Sequence, residues 1–180
     1  KNIVVVIDGA YAEYVDEEDY DKDFELIKEF ENIIMTRTFS KAYGLAAIRL
    51  GWCYSSSKIS SILSRVKGPF NTNAIAQKMA ISALKDEDHI KTVVTSNKEI
   101  KKWFEKELVK LKIKVHPTYA NFSFIESTNE IAMNIYNSLE KNNILIRQLD
   151  SYGLSNCLRI TIGTKANMEK IIYILRGIFE

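Results

Sequence analysis

The sequence predicts an α/β fold over its first half and a smaller α+β unit after it. Residues 3–7 form an unbroken β-branched run, which is typical of a strand covered on both faces in a parallel sheet. Apolar residues at helical spacing in segments 59–66 and 100–111 then precede further short strands. Hydrophobic residues make up 46% of the 180 residues and charged residues 27%, a composition typical of soluble globular proteins.

The first predicted strand ends at Asp8, and two more strands are predicted at residues 32–38 and 48–54. The connection between the second and third strands is too short for a parallel crossover, so these two strands should run antiparallel. If the first two strands are parallel, Asp8, Lys41 and Arg49 meet at one edge of the sheet. Open α/β sheets bind ligands at that edge, outside the carboxyl ends of their strands.

Apolar spacing also predicts several helices. Short helices are expected at residues 24–30, 59–66 and 74–84. A longer helix, which carries Trp103 and Leu108, is predicted to begin near residues 94–97. We place the domain boundary at that start, which gives domains over residues 1–95 and 96–180.

The second domain should contain short strands and two further helices. The strands are predicted at residues 115–125, with a break at Pro117, at 144–149 and at 157–162. Ser127 and Glu130 have the spacing of a helix capping box. Thr164 is placed to cap the last helix.

The net charge and the cysteine content bear on which partners, metals and cellular compartment to expect. The net charge of +2 gives no reason to expect a nucleic-acid or membrane partner. Cys53 and Cys157 lie far apart without metal-ligand spacing, so no metal is predicted and a reducing cytoplasm is expected. No apolar run reaches transmembrane length. The chain opens directly on a strand without an initiator Met, which predicts that it is part of a longer protein.

Segment 38–52 combines an amine with groups that bind phosphate. Lys41 follows the hydroxyls of Thr38 and Ser40 and precedes Arg49 by eight residues. An amine suits an aldehyde, and hydroxyls with a guanidinium suit a phosphate dianion. Pyridoxal phosphate carries both groups, so we predict that Lys41 is its Schiff-base lysine.

Several ordered motifs together resemble one family. They are Asp8-Gly9-Ala10-Tyr11, Thr38-Phe39-Ser40-Lys41-Ala42-Tyr43-Gly44-Leu45, Arg49-Leu50-Gly51 and Leu158-Arg159-Ile160-Thr161-Ile162-Gly163-Thr164. The chain resembles the fold-type I pyridoxal-phosphate aminotransferases, and among them the histidinol-phosphate aminotransferases. The likeness covers essentially all 180 residues but only the C-terminal half of such an enzyme. It implies a partial large-domain sheet, like that of aspartate aminotransferase, followed by the small C-terminal domain.

The resemblance implies a role for each cofactor-binding residue. Lys41 would bind the cofactor aldehyde and later move the substrate proton. Asp8 would pair with the pyridine nitrogen, and Tyr11 would bond to the ring oxygen. Thr38, Ser40 and Arg49 would hold the phosphate.

Two arginines of the second domain are implied in substrate binding. Arg159 alternates with the apolar Leu158 and Ile160, and the family uses this arginine for the substrate α-carboxylate. Arg147 alternates with its neighbours in the same way and is assigned to a substrate phosphate.

The implied reaction is the transfer of an amino group between histidinol phosphate and 2-oxoglutarate in histidine biosynthesis. Small amino acids and 2-oxo acids would be the substrates, and the full-length family forms homodimers. Three alternatives stay open at this point: another class I/II aminotransferase, a phospho-amino-acid decarboxylase on the same scaffold, or a non-catalytic fragment.

Overall fold

The computed structural model describes residues 3–20 and 24–179. The chain divides into two compact units, which we call unit 1 (Lys1–Val94) and unit 2 (Thr95–Glu180). The division falls inside one long helix, α4 (Glu87–Lys110). Within the described ranges, no helix combines the length and apolar character needed to cross a membrane.

Unit 1 contains a three-stranded sheet in the order β1-β2-β3. The strands are β1 (Val5–Asp8), β2 (Ile33–Thr38) and β3 (Gly51–Ser55). β1 pairs with β2 in parallel, with Asp8 opposite Thr36, and β3 pairs with β2 in antiparallel fashion, with Gly51 opposite Thr38. The predicted antiparallel direction of β3 is therefore confirmed, and the parallel pairing of β1 with β2 meets the condition for Asp8, Lys41 and Arg49 to share one edge of the sheet.

The core of unit 1 is small and centred on β2. Ile33 and Met35 of β2 are buried together with Ile27 of the short helix α1 (Phe24–Glu29). β1 is less covered than the sequence predicted, since Val5 and Val6 are 43% and 59% exposed. The expectation of a strand covered on both faces is wrong for the described structure, because the buried cluster lies on the neighbouring strand.

Three helices complete this part of the chain. α2 (Ser57–Val66) and α3 (Ala74–Lys85) lie close to their predicted positions. α4 instead begins at Glu87, well before the predicted start near residues 94–97. The Asp86 side chain accepts a hydrogen bond from the His89 backbone N–H (3.1 Å) and so caps this earlier start. Ile90, Val93 and Val94 already have helical apolar spacing, so the sequence held a signal for the earlier start that the predicted boundary did not use.

Unit 2 is an antiparallel sheet covered on one face by helices. Its strands are β4 (Lys114–His116), β5 (Phe122–Glu126), β6 (Arg147–Leu149) and β7 (Leu154–Thr161), in the order β4-β5-β7-β6. The helices are α5 (Asn129–Lys141), α6 (Lys165–Phe179) and the end of α4. Ile125, Leu158 and Ile160 point into a core shared with Phe104 and Leu175. The side chains that alternate with these along each strand, Arg159 among them, lie on the other face of the sheet.

The helix caps of unit 2 agree only in part with the sequence. Thr164 accepts a hydrogen bond from the Asn167 N–H (3.3 Å), as predicted for the start of α6. The cap of α5 is Thr128, which accepts from the Ile131 N–H (3.3 Å), and not Ser127. The Ser127 N–H donates to the Asn156 carbonyl (2.9 Å), which holds Ser127 beside β7 and outside the helix.

A charged side chain links two helices at the edge of this core. Glu107 of α4 is nearly buried and accepts hydrogen bonds from Lys110 Nζ (2.6 Å) and from Arg176 Nη2 of α6 (2.9 Å). The hydrogen bond from Lys110 is the main cause that holds the pKa of Glu107 below its usual range, although burial opposes it. Glu107 is thus most favourable to folding in its ionised form.

We expect Glu107→Gln to destabilise unit 2 near neutral pH and to have a smaller effect in acid. A carboxyl whose pKa is lowered on folding stabilises the protein above its unfolded pKa of about 4.3, and the effect is lost as pH falls through the folded pKa. Urea unfolding at several pH values measures this, in a Trp52→Phe background where Trp103 reports on unit 2.

The matched control is Glu99→Gln, which changes an exposed carboxylate on the same helix. It should leave the free energy of unfolding nearly unchanged. A loss in Glu107→Gln that stays constant from neutral to acid pH would contradict an ionic role for Glu107.

Candidate active site

Asp8 lies at the carboxyl end of β1 with its side chain held in place. Its Oδ1 accepts a hydrogen bond from the Ala10 backbone N–H (3.1 Å) and lies 3.4 Å from the Thr36 hydroxyl of β2. The carboxylate itself remains exposed. It can therefore accept a further hydrogen bond from a cationic N–H group of a ligand.

Lys41 and Tyr11 are brought together by the end of the sheet. The Lys41 ammonium lies 5.1 Å from the centre of the Tyr11 ring, within the range of a cation–π contact. Tyr11 follows β1 and Lys41 follows β2, so the parallel pairing of these strands explains the contact. The amine and the phenol thus face one another at the edge where Asp8 also lies.

The loop that carries Lys41 is anchored by buried side chains. Phe39 and Ala42, on either side of the Ser40-Lys41 pair, are 3% and 1% exposed. The Leu45 N–H donates to the Phe39 carbonyl (2.9 Å) and the Gly44 N–H donates to the Lys41 carbonyl (2.9 Å). Gly44 has a φ of 69°, a conformation that glycine adopts at little cost. The loop closes tightly and holds Lys41 at its turn.

The predicted phosphate-binding groups lie in and after this loop. The Ser40 N–H donates to the Thr38 hydroxyl (3.1 Å), so these two residues form one compact turn. Arg49 precedes β3, which begins at Gly51, and does not open that strand as predicted. Its φ of 55° is left-handed, and its Nη1 donates to the Ala46 carbonyl (2.7 Å). The predicted start of this strand at residue 48 is wrong because a short 3₁₀ helix occupies Ala46–Ile48 and Arg49 follows as its cap.

Glu13 is a charged residue of unit 1 that was not predicted from the sequence as part of the site. The carboxyl of Glu13, in the 3₁₀ helix Ala12–Tyr14, is partly buried, and its Oε2 has no hydrogen-bond partner among the described residues. Burial raises the pKa of Glu13, while its own backbone N–H and the charge of Arg37 oppose that rise. Burial, and then the charge of Glu13, also raise the pKa of Tyr43. The only sequence signal was Arg37, a charged residue within an otherwise largely apolar strand.

Arg147 and Arg159 lie directly opposite one another on β6 and β7 of unit 2. The Arg159 guanidinium lies 4.9 Å from the Phe122 ring centre, and its buried Nε has no hydrogen-bond partner among the described residues. Arg147 is exposed, and its Nη2 donates to the Tyr152 hydroxyl (3.1 Å). Two guanidinium groups on neighbouring strands, one of them with an unused donor, form a site suited to an anion.

The structure therefore places the predicted residues in two groups. Unit 1 carries the first group: Asp8, Tyr11, Thr38, Ser40, Lys41 and Arg49. Unit 2 carries Arg147 and Arg159. Within the described ranges, no cluster of His, Cys, Asp and Glu has the arrangement of a metal site.

Residues 1–175 match the family described as aminotransferase class I and II. The chain belongs to this family. A histidinol-phosphate aminotransferase from Maricaulis maris (strain MCS10) is 38% identical over 172 residues, which cover 94% of this chain and 48% of that protein. The chain spans about half the length of the curated relatives it matches.

Solved structures of similar proteins have the same fold. The histidinol-phosphate aminotransferase of Clostridium acetobutylicum is 27% identical, with a TM-score of 0.89 over 97% of this chain and 54% of that one. The enzyme of the same name from Sinorhizobium meliloti, solved in complex with pyridoxal-5'-phosphate, is 26% identical. Its TM-score is 0.88 over 97% of this chain and 49% of that one. The predicted fold class, a partial aminotransferase large-domain sheet followed by a small α+β domain, is confirmed.

We expect Phe39→Ala to loosen the Lys41 loop, since a buried phenylalanine that is truncated to alanine costs about 3–5 kcal/mol. Hydrogen–deuterium exchange should become faster at the Gly44 and Leu45 amides, whose acceptors lie in the loop. Tyr173→Ala is the control because Tyr173 is an aromatic residue that is 79% exposed, and it should change stability by no more than about 0.5 kcal/mol. Equal exchange in the two variants would contradict the anchoring role of Phe39.

Proposed function

We propose that this chain supplies the cofactor and substrate residues of a pyridoxal-phosphate-dependent aminotransferase that acts on histidinol phosphate and 2-oxoglutarate. The single observation that supports this most strongly is the meeting of Lys41, Tyr11 and Asp8 at the carboxyl ends of two parallel strands. Membership of the aminotransferase class I and II family supports the reaction type.

The groups present in unit 1 fit pyridoxal phosphate chemically. When bound, this cofactor supplies a cationic ring that accepts the electron pair left when the substrate loses its α-proton. The Asp8 carboxylate, fixed by the Ala10 N–H, is free on its exposed side to hold a protonated ring nitrogen. The Tyr11 phenol donates to a ring oxygen.

The remaining residues of unit 1 bind the cofactor phosphate and accept the α-proton of the substrate. The Thr38 and Ser40 hydroxyls and the Arg49 guanidinium provide donors for a phosphate dianion. The Lys41 amine provides the nucleophile for the aldehyde and, once released, a base that holds the substrate α-proton. The buried neighbours Phe39 and Ala42 keep this amine at a fixed position in its loop.

Unit 2 supplies the groups that select the substrate. Arg159, whose side chain is half-buried, offers its guanidinium to the α-carboxylate of the amino-acid substrate, and Arg147 binds the phosphate of histidinol phosphate. The support is their direct cross-strand pairing, together with the names of relatives that are 36–38% identical. An aminotransferase of the same family that acts on an unphosphorylated amino acid would need only the contact between Arg159 and the substrate carboxylate.

We place the protein in the cytoplasm as a homodimer. Cys53 and Cys157 are free thiols, as is usual in a reducing compartment. Val66 and Phe70 are 76% and 99% exposed and are suited to an apolar contact with a second copy.

We expect Lys41 to bind pyridoxal phosphate covalently. The chain is incubated with the cofactor and reduced with borohydride, and its peptides are examined by mass spectrometry for a pyridoxyl group. The label should be found on Lys41, and Lys41→Ala should abolish it. Lys58→Ala, which removes an exposed lysine of α2, should leave the label unchanged.

Two outcomes of this experiment would overturn the proposal for the chain. The cofactor role of Lys41 is wrong if labelling is spread over surface lysines and survives Lys41→Ala. If the wild-type chain takes up no label at all, it is a non-catalytic fragment.

We expect Arg147→Ala to weaken binding of histidinol phosphate by at least about tenfold while it leaves histidinol unaffected. A charge-assisted hydrogen bond contributes about 1.5–3 kcal/mol, and 1.4 kcal/mol corresponds to a factor of ten. Titrations followed through the arginine Nε–Hε signals in NMR spectra measure both ligands. Arg65→Ala, in α2, is the control. A loss that is equal for the two ligands would exclude the phosphate-binding role.

A further inference from the structure

Arg37 of β2 fills the space beside Gly9. A Cβ atom built on Gly9 would lie 1.5 Å from Arg37 Nη1 and 2.7 Å from its Cζ. The guanidinium therefore lies directly against the Gly9 backbone, and its Nη1 also lies 3.5 Å from the Thr36 carbonyl oxygen. Gly9 has no positive φ, so its backbone conformation does not require a glycine; a side chain at this position would instead displace the flexible end of the Arg37 side chain.

Gly9 occupies a sensitive place in the site. It lies between Asp8 and Tyr11, and its buried N–H donates to the Thr36 carbonyl (3.1 Å). Its own carbonyl accepts from the Ala12 N–H (3.1 Å), which begins the 3₁₀ helix. A shift of the Gly9 backbone would therefore move Asp8, on one side, and Tyr11, on the other.

The positive charge of Arg37 also affects two titratable side chains nearby, those of Glu13 and Tyr43. Glu13 lies close enough for the guanidinium to stabilise its partly buried carboxylate, and Tyr43, two residues after Lys41, experiences both charges. We call Gly9, Glu13, Arg37 and Tyr43 the loop-support cluster. Its members come from the turn after β1, from β2 and from the loop after β2.

Arginine suits this position better than lysine. Its guanidinium is planar, is always charged and can lie flat against a Cα atom while its edges meet an oxygen acceptor. A lysine ammonium is a compact point charge and cannot cover the same surface. Because the Glu13 carboxylate is partly buried, loss of the opposing charge would leave it poorly solvated.

We propose that Arg37 is a positioning residue, which fixes the Gly9 backbone and thereby the direction of the Asp8 carboxylate toward the cofactor ring. The effect of Arg37 on cofactor binding rests on the proposed function. The contact between Arg37 and Gly9 is a property of the chain alone and can be tested without cofactor.

The first test measures hydrogen exchange of the Ala10 amide in the cofactor-free chain, because that amide bonds to Asp8 Oδ1. Gly9→Ala and Arg37→Ala should each raise its exchange rate by at least about tenfold. If the two side chains compete for one space, Gly9→Ala should have a much smaller effect in the Arg37→Ala background. Arg65→Ala is the surface control. Additive effects of the two substitutions would overturn the contact.

The second test measures pyridoxal phosphate affinity by absorbance titration. Arg37→Ala should weaken binding by at least about tenfold in the wild-type chain but have little further effect in an Asp8→Ala background. Arg37→Lys should not restore affinity. If Arg37→Ala weakens binding equally in both backgrounds, it does not act through Asp8 and the positioning role is wrong.

Outcomes that involve unfolding or loss of the cofactor remain distinguishable. If Arg37→Ala unfolds unit 1, exchange rises at the β2 amides as well as at Ala10. Arg37→Lys, which keeps the charge but not the guanidinium, then replaces Arg37→Ala in both tests. Unchanged Ala10 exchange and affinity in Arg37→Lys would overturn the role. Failure of the proposed function appears separately, as absent labelling of Lys41 in the wild-type chain.

Discussion

The parallel pairing of β1 with β2 is the constraint on which the candidate site depends. Its register sets Asp8, the last residue of β1, opposite Thr36, two residues before β2 ends at Thr38. The residues that follow each strand must then approach one another, and the contact between the Lys41 ammonium and the Tyr11 ring is the result. A shift of one residue would turn the side chains of a strand to the opposite face and separate these groups.

Much of this arrangement could be predicted from sequence because it follows from chain geometry. A β-branched run identified β1, and a connection too short for a crossover fixed the antiparallel direction of β3. The left-handed conformation of Arg49 was not predictable in the same way, since a non-glycine residue rarely adopts it and no sequence signal marks it. The spacing of Ile90, Val93 and Val94 marked the earlier start of α4, although the predicted boundary did not use it. The competing bond of the Ser127 N–H moved the cap of α5 to Thr128.

The contact between Arg37 and Gly9 could not be predicted from the sequence. Nothing in the local sequence relates these two residues, which come together only when β1 and β2 pair. Glu13 was missed for the same reason, because the burial of its carboxyl depends on how the 3₁₀ helix packs. Sequence patterns predict which groups reach the site, whereas the contacts that orient them depend on side-chain packing.

The distribution of the core explains why orientation should be sensitive in unit 1. Unit 2 has a large buried cluster built around Phe104, Ile160 and Leu175, whereas the cluster of unit 1 is limited to Ile27, Ile33 and Met35. Regions with few buried apolar contacts open more readily than well-packed ones. The groups assigned to the cofactor therefore lie on the less extensively packed unit, where Phe39 and Ala42 anchor the Lys41 loop but few other apolar contacts hold the turn after β1. In such a setting a polar contact such as that of Arg37 with Gly9 has a greater effect on the position of Asp8 than it would within a large core.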